Sequence, residues 1–231
     1  MTKPIIGITA NQRLNPDFGN TIVSYVPTDF ITAVRECGGI PIIIPIADYE
    51  TIKTYVDLVD KVILTGGQNV DPSYYGEEKN AKVDDFLKIR DESEFALVTE
   101  TIRQKKPIFS VCRGTQLVNV VLGGNLNQHI ENHVQSEDSS LTTHDIKIEN
   151  NSILNQIYGN TSSINSFHRQ SIKNLSPKLK VVAKDPKDNT IEAIESSDDS
   201  IRILGLQWHP EFLYQTRQKE KDLFNYVVNE L

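Results

Sequence analysis

The first half of the chain alternates short apolar runs with stretches of helical spacing, and this alternation most narrows the folds open to it. Pro4 to Thr9, Ile40 to Pro45, Lys61 to Leu64 and Ile108 to Val111 are brief and rich in β-branched residues, as strands buried on both faces are. Between them Phe30, Ile31, Ala33 and Val34 follow a candidate cap at Thr28 or Asp29, and Gly38-Gly39 closes that helix. Ile52, Tyr55, Val56 and Val59 mark a second helix, and Phe95, Leu97, Val98 and Ile102 a long third one over Phe86 to Arg103. Beyond the fourth run, Leu117, Val118, Val120, Val121 and Leu122 give another, ended by Gly123-Gly124. Strands joined through helices must pair in parallel with right-handed crossovers. The expectation is an α/β fold of three layers, a mainly parallel central sheet with helices on both faces. Sites in such sheets form at the carboxyl ends of strands. Gly66-Gly67 and Cys112 both stand at strand ends, so they should face one crevice.

The second half reads differently. His129 to Thr143 is a polar, exposed connection, and His144 to Glu149 alternates as a half-exposed strand does. Leu179 to Lys184, Thr190 to Glu195 and Ile201 to Leu206 are further strands, Ile153 to Tyr158 a short helix and Arg217 to Leu231 a last amphipathic one. They imply a small antiparallel region beside the parallel sheet. No linker or repeat interrupts residues 1–231, so one domain is expected. Asn11 to Tyr25 is rich in turn residues and reads as a long surface loop bordering a site. The charge runs Asp84-Asp85, Asp198-Asp199 and Lys219 to Asp222 read as solvated surface.

Composition excludes some functions. A net charge of -7 without a basic stripe argues against a nucleic-acid partner. The longest apolar stretch, Ile40 to Ile46, holds two prolines and cannot span a membrane, so no membrane association is expected. Two cysteines far apart make no disulfide framework, which fits a cytoplasmic protein.

A lone cysteine after an apolar strand is commonly a small core residue. Cys112, however, joins a strand to a helix through Arg113-Gly114, the geometry that pushes a nucleophile out of a sheet edge towards helical N–H groups. A thiol needs a base. Gln207-Trp208-His209-Pro210-Glu211 offers one, because His209 leaves the end of an apolar strand and Glu211 is placed to accept its second ring proton. The backbone at Gly66-Gly67 is free to approach a ligand closely, and its N–H groups can join that of Arg113 in an oxyanion hole.

Leu64-Thr65-Gly66-Gly67-x-x-Val70-x-Pro72, Cys112-Arg113-Gly114-x-Gln116, Asn165-Ser166-Phe167-His168-x-Gln170 and Gln207-Trp208-His209-Pro210-Glu211 follow one another in that order. The set resembles the class I glutamine amidotransferase superfamily, and within it the γ-glutamyl-γ-aminobutyrate hydrolase-like, peptidase-type branch. The resemblance implies a flavodoxin-like fold and a cysteine-dependent hydrolase of γ-glutamyl amides of small amines, as in polyamine breakdown. It implies Cys112 as nucleophile, His209 as base and acid, Glu211 as its orienting carboxylate, and Gly67 and Arg113 as oxyanion donors. Gly66, Gln116, Asn165, Ser166, Phe167 and His168 would line the pocket of a small-molecule γ-glutamyl substrate. No metal or organic cofactor is implied.

The chain departs from this pattern at three places. Ser110 replaces the usual glycine two residues before the nucleophile and is expected to bring modest strain. Asn69 stands for an aspartate, and His129 for a common acidic residue. His129 and His133 are four apart, but no third ligand completes a metal set beside them. A glutaminase subunit serving a separate synthetase chain, and a non-catalytic relative, are the alternative readings. The number of subunits is open, a homodimer being the commonest default.

Overall fold

The structure, a computed structural model, describes residues 2–80, 83–197 and 200–231, with the backbone alone at Phe18. The Asp198-Asp199 run lies outside the described residues. Its first half contains β1 Ile5–Thr9, β2 Asn11–Asn15, β3 Thr21–Tyr25, α1 Thr28–Glu36, β4 Ile40–Ile44, α2 Tyr49–Leu58, β5 Lys61–Leu64, α3 Lys88–Arg103, β6 Ile108–Val111 and α4 Arg113–Val121. The second half adds β7 Asn125–Asn127, β8 His144–Ile148, α5 Ile153–Tyr158, β9 Thr161–Ile164, β10 Ser171–Asn174, β11 Leu179–Lys184, β12 Ile191–Ser196, β13 Ile203–Leu206 and α6 Gln218–Asn229.

Nine strands form one sheet in the order β4-β1-β5-β6-β13-β12-β11-β8-β9. The strands β4, β1, β5, β6 and β13 pair in parallel, and β12, β11, β8 and β9 continue the sheet antiparallel. This is the expected three-layer, flavodoxin-like α/β fold, with the carboxyl ends of β5, β6 and β13 side by side. Alternate residues of the central strands serve opposite faces. Ile63, Phe109, Val111, Leu204 and Leu206 join α1, α5 and α6 in one core, while Val62, Leu64, Ile108 and Ile203 join α2, α3 and α4 in the other. Ser110 and Gly205 lie in register on the face towards α4.

Several expectations need correction. Asn11 to Tyr25 is a paired β2–β3 hairpin with a 3-10 turn at Pro16–Phe18. Both of its faces are largely polar or exposed, so no buried alternation marks it in the sequence. The run in β4 is buried only at Ile44: it is the sheet edge, and Ile40, Ile42 and Ile43 are exposed. An edge also explains how Pro41, which lacks an N–H, fits in a strand. Helix α1 begins after Pro27, with no side-chain cap from Thr28 or Asp29. The short polar strands β7, β9 and β10 carry too few apolar residues to announce themselves. Of the run Lys219 to Asp222, Glu220 is fully buried.

Candidate active site

The turn from β6 to α4 is the most constrained backbone at the crevice. Cys112 adopts φ 51° and ψ −110°, a conformation L-residues avoid at a cost of about 1–3 kcal/mol. Three bonds hold it there: its N–H donates to the Leu206 carbonyl at 2.7 Å, and its carbonyl accepts from the N–H groups of Thr115 at 3.1 Å and Gln116 at 3.2 Å. Gly114 is needed because a Cβ there would come within 2.7 Å of the Leu64 carbonyl oxygen. Helix α4 thereby closes directly onto the end of β5.

Ser110 does not strain the turn. It sits in ordinary strand conformation, and its hydroxyl hydrogen-bonds Thr115 Oγ1 at 3.1 Å. Room for it comes from the neighbouring strand, where a Cβ on Gly205 would lie 2.8 Å from Ser110 Oγ. The small residue that the turn requires has moved one strand across, and the strain stays at Cys112.

His209 follows β13 and is fixed on several sides. Its Nδ1 lies 2.7 Å from Glu211 Oε1, its ring stacks on Phe212 at 5.2 Å, and Phe167 meets it edge-on at 6.1 Å. Asn165 braces the backbone, accepting from the His209 N–H and donating to its carbonyl, both at 2.9 Å. With Nδ1 engaged, Nε2 is the atom left for the Cys112 thiol, and both side chains border the same glycine, Gly66. Burial by itself would lower the His209 pKa, but the Glu211 carboxylate and the Cys112 thiol outweigh it and raise it well above the ordinary imidazole value. Gly66 separates the two: a Cβ there would stand 2.6 Å from His209 Cε1 and 3.5 Å from Cys112 Cβ.

Gly67 has φ 150°, and a Cβ on it would strike the Arg90 guanidinium. Among the described residues, the N–H groups of Gly67 and Arg113 have no partner within the chain. The Arg113 side chain turns away from the crevice into a buried cluster with Asp91 and Glu94 of α3. Arg90 completes it, bonding Glu94 at 2.9 Å and reaching the hydroxyl of Thr65 at 3.0 Å and its carbonyl at 3.3 Å. Burial disfavours the Glu94 charge, yet Arg113 and Arg90 outweigh it and hold that carboxyl below its ordinary value. Nothing in the apolar spacing of α3 reveals this polar face. The only sequence signal is Arg90-Asp91 and Glu94 repeating on one side of the helix.

Beside Cys112 opens a cleft of about 240 Å³ whose walls include Gly67, Gln116, Phe167 and His168, all singled out from the sequence. Asn69, Asp84, Asp85, His129 and Arg169 complete the mouth, so Asp84 and Asp85 bring back the negative charge that Asn69 lacks. Arg169 drew no attention in the sequence. Asn165 and Ser166 lie behind the wall, Asn165 on His209 and Ser166 on the His133 carbonyl at 2.8 Å. Gln116 is clamped to the Gln170 carbonyl at 2.8 Å, and Gln170 in turn pairs with both backbone groups of Val70. On the other side of Gly66, His209 and Glu211 border a second hollow of about 230 Å³, rimmed by Asn11, Tyr25 and Phe212. His129 lies on no helix, and among the described residues it belongs to no group of three or more side chains placed to hold a metal ion.

Comparison with known proteins shows the family and the fold. The chain is 40% identical over 237 residues to protein NtpR of Enterococcus hirae, covering 98% of this chain and 99% of that one. It is 30% identical to the γ-glutamyl-γ-aminobutyrate hydrolase of Escherichia coli, over 92% of this chain and 87% of that protein. In fold it matches a glutamine amidotransferase of Thermotoga maritima with a TM-score of 0.61 at 14% identity, over 100% of this chain and 90% of that one. Residues 4–211 match peptidase C26, and the chain belongs to that family of glutamine amidotransferase-like hydrolases acting on C–N bonds.

Proposed function

We propose that the protein hydrolyses the γ-glutamyl amide bond of a small γ-glutamyl-amine, with Cys112, His209 and Glu211 as its catalytic residues. The observation that carries this reading is the contact at Gly66, where the missing Cβ lets the imidazole held by Glu211 stand against the cysteine of the strained turn. Transfer of the thiol proton to His209 Nε2 leaves a thiolate beside an imidazolium. The thiolate adds to the γ-carbonyl carbon, and the oxygen charge that develops falls on the N–H groups of Gly67 and Arg113. His209 returns the proton to the departing amine as the C–N bond breaks, leaving a γ-glutamyl thioester on Cys112. Water, deprotonated by the same imidazole, then adds to the thioester; glutamate leaves and the thiol is restored. Glu211 stabilises the imidazolium in both halves without itself taking the proton.

The cleft walled by Gln116 and His168 holds the glutamyl group, with Arg169 facing its α-carboxylate and Asp84 or Asp85 its α-ammonium. The hollow beneath the β2–β3 hairpin receives the amine, so Asn11, Tyr25 and Phe212 set which amine is cleaved. The test is glutamate release from a panel of γ-glutamyl amides, with glutamine among them. The reading expects release without any partner chain, trapping of a thioester, and loss of about 10⁴-fold or more in kcat for Cys112→Ala. Turnover by Cys112→Ala at the wild-type rate would overturn it. Ammonia release from glutamine that requires a second chain would favour the amidotransferase reading instead.

A further inference from the structure

Behind the cleft wall, three side chains converge that the proposed reaction does not use. His133, His168 and Glu192 are only 2%, 3% and 1% exposed. His133 Nδ1 lies 3.4 Å and His168 Nε2 3.6 Å from Glu192 Oε1. The other nitrogen of each ring is already engaged: His133 Nε2 with Asp188 Oδ2 at 2.9 Å, and His168 Nδ1 with the Gln170 carbonyl at 2.9 Å. A carbonyl and a carboxylate oxygen only accept, so each ring places its proton there. That turns the lone pairs of His133 Nδ1 and His168 Nε2 towards the Glu192 carboxylate. Among the described residues these facing atoms, both Glu192 oxygens included, have no hydrogen-bond partner. Acceptors converge in a buried place only around a cation, and here that is either a second proton on an imidazole, since burial lowers the His133 pKa but Glu192 and Asp188 raise it to about 9, or a metal ion set among the three groups.

We propose that His133, His168 and Glu192 bind one divalent transition-metal ion, zinc by the character of their donors. Tetrahedral zinc with bonds of about 2.0–2.1 Å spaces its ligands about 3.4 Å apart. The separations of 3.4 and 3.6 Å match within a few tenths of an ångström. Two imidazoles and one carboxylate suit zinc better than magnesium or calcium, which take oxygen ligands. The outer partners also fit, since Asp188 and the Gln170 carbonyl orient the two rings as second-layer acceptors do in zinc sites. The ion joins the 129–135 loop and β12 to the segment whose Phe167, His168 and Arg169 wall the cleft. Its place is therefore positioning, away from the reacting atoms.

The test uses the full chain, refolded with and without zinc because the site is closed. Metal analysis should find one zinc per chain after desalting, and cobalt in its place should give the intense visible bands of a tetrahedral ion. Glu192→Gln and His133→Asn should each weaken binding by at least about 100-fold, and Asp188→Asn by about 10-fold. Asp188 is half exposed, so that variant keeps the test open if the buried ones fail to fold. A zinc-refolded chain without stoichiometric metal, its two imidazoles protonated around Glu192 by NMR, overturns the proposal. Unchanged affinity in Asp188→Asn together with either buried variant also overturns it, because the metal then sits elsewhere.

Discussion

Replacing Gly66 with alanine should disable the reaction while sparing the fold. The new Cβ would stand 2.6 Å from His209 Cε1, so the ring has to retreat by about 0.8 Å to regain ordinary contact. It has nowhere cheap to go. Phe212 stacks on one face, Phe167 blocks an edge, and a retreat lengthens the 2.7 Å bond to Glu211. If the 65–67 backbone moves instead, the Gly67 N–H leaves the place proposed for the oxyanion. A displacement of this size costs about 100-fold in rate in either case. The overpacking should cost about 1–3 kcal/mol of stability, which a domain of this size survives. Two assays separate the causes: kcat/KM on a γ-glutamyl amide, and the rate at which iodoacetamide alkylates Cys112. Both should fall, because the second reads the thiolate without any substrate. A Gly66→Ala protein that folds and keeps kcat/KM within about threefold of wild type would refute the reasoning, since the Cys112–His209 contact would then not carry the chemistry.

Asn165→Ala should lower kcat by about 100-fold with little change in KM, because Asn165 holds the backbone of His209 rather than the substrate. A KM effect alone would return Asn165 to the substrate pocket. Gly205→Ala should cost about 1–3 kcal/mol by crowding Ser110, Ile194 and Thr115, and urea titration should show Ser110→Gly recovering at least about 0.5 kcal/mol of it. Strict additivity would mean that the two positions do not share space. Glu220 gives a pH dependence: burial raises its carboxyl to about 7 against the opposing pull of Arg217. A folded pKa above the unfolded one means that the native state holds the proton more tightly, so stability falls as pH rises from about 5 to 7. Glu220→Gln should remove that fall, worth about 3 kcal/mol above pH 7, and a wild-type urea midpoint flat over the same range would contradict it.

The parallel half of the fold was legible because buried strands and amphipathic helices have different periods, and the chain keeps to each in turn. The hairpin at residues 11–25 and strands β7, β9 and β10 were not, since polar strands paired at the surface bury no stripe. The run of isoleucines in β4 misled for the opposite reason: periodicity reports what a strand is made of, not whether a neighbour covers it. At the crevice, Cys112, His209 and Glu211 come together from motifs 97 residues and more apart, because β6 and β13 are adjacent in the sheet. Asn165 and Ser166 could not be assigned a side of the wall from sequence, as only the turn after β9 decides which way they face. His133 was weighed only with His129, because His168 and Glu192 are brought to it by tertiary structure and share no local spacing with it.

The buried Arg90–Asp91–Glu94–Arg113 cluster explains how two N–H groups from different loops keep a fixed separation. For stability alone such a cluster is a poor choice, because desolvating four charges costs about what their attraction returns. Its bonds are directional, however, and apolar packing is not. Arg113 lies in the first turn of α4 and is tied to α3 through Asp91 and Glu94. Arg90, from that same helix, grips the carbonyl and hydroxyl of Thr65 immediately before Gly66-Gly67. The elbow and the glycine turn are thus referred to one rigid element, with the separation between the Arg113 and Gly67 N–H groups set by bond lengths. The strained Cys112 needs such a frame, since a backbone at φ 51° relaxes when its surroundings loosen. Substituting the whole cluster by apolar residues of similar size, Arg90→Met, Arg113→Met, Glu94→Met and Asp91→Leu together, would keep the volume, leave no buried charge unpaired and discard the direction. The expected protein is as stable as wild type in urea yet slower to alkylate at Cys112, and an alkylation rate equal to wild type would show that packing alone holds the turn.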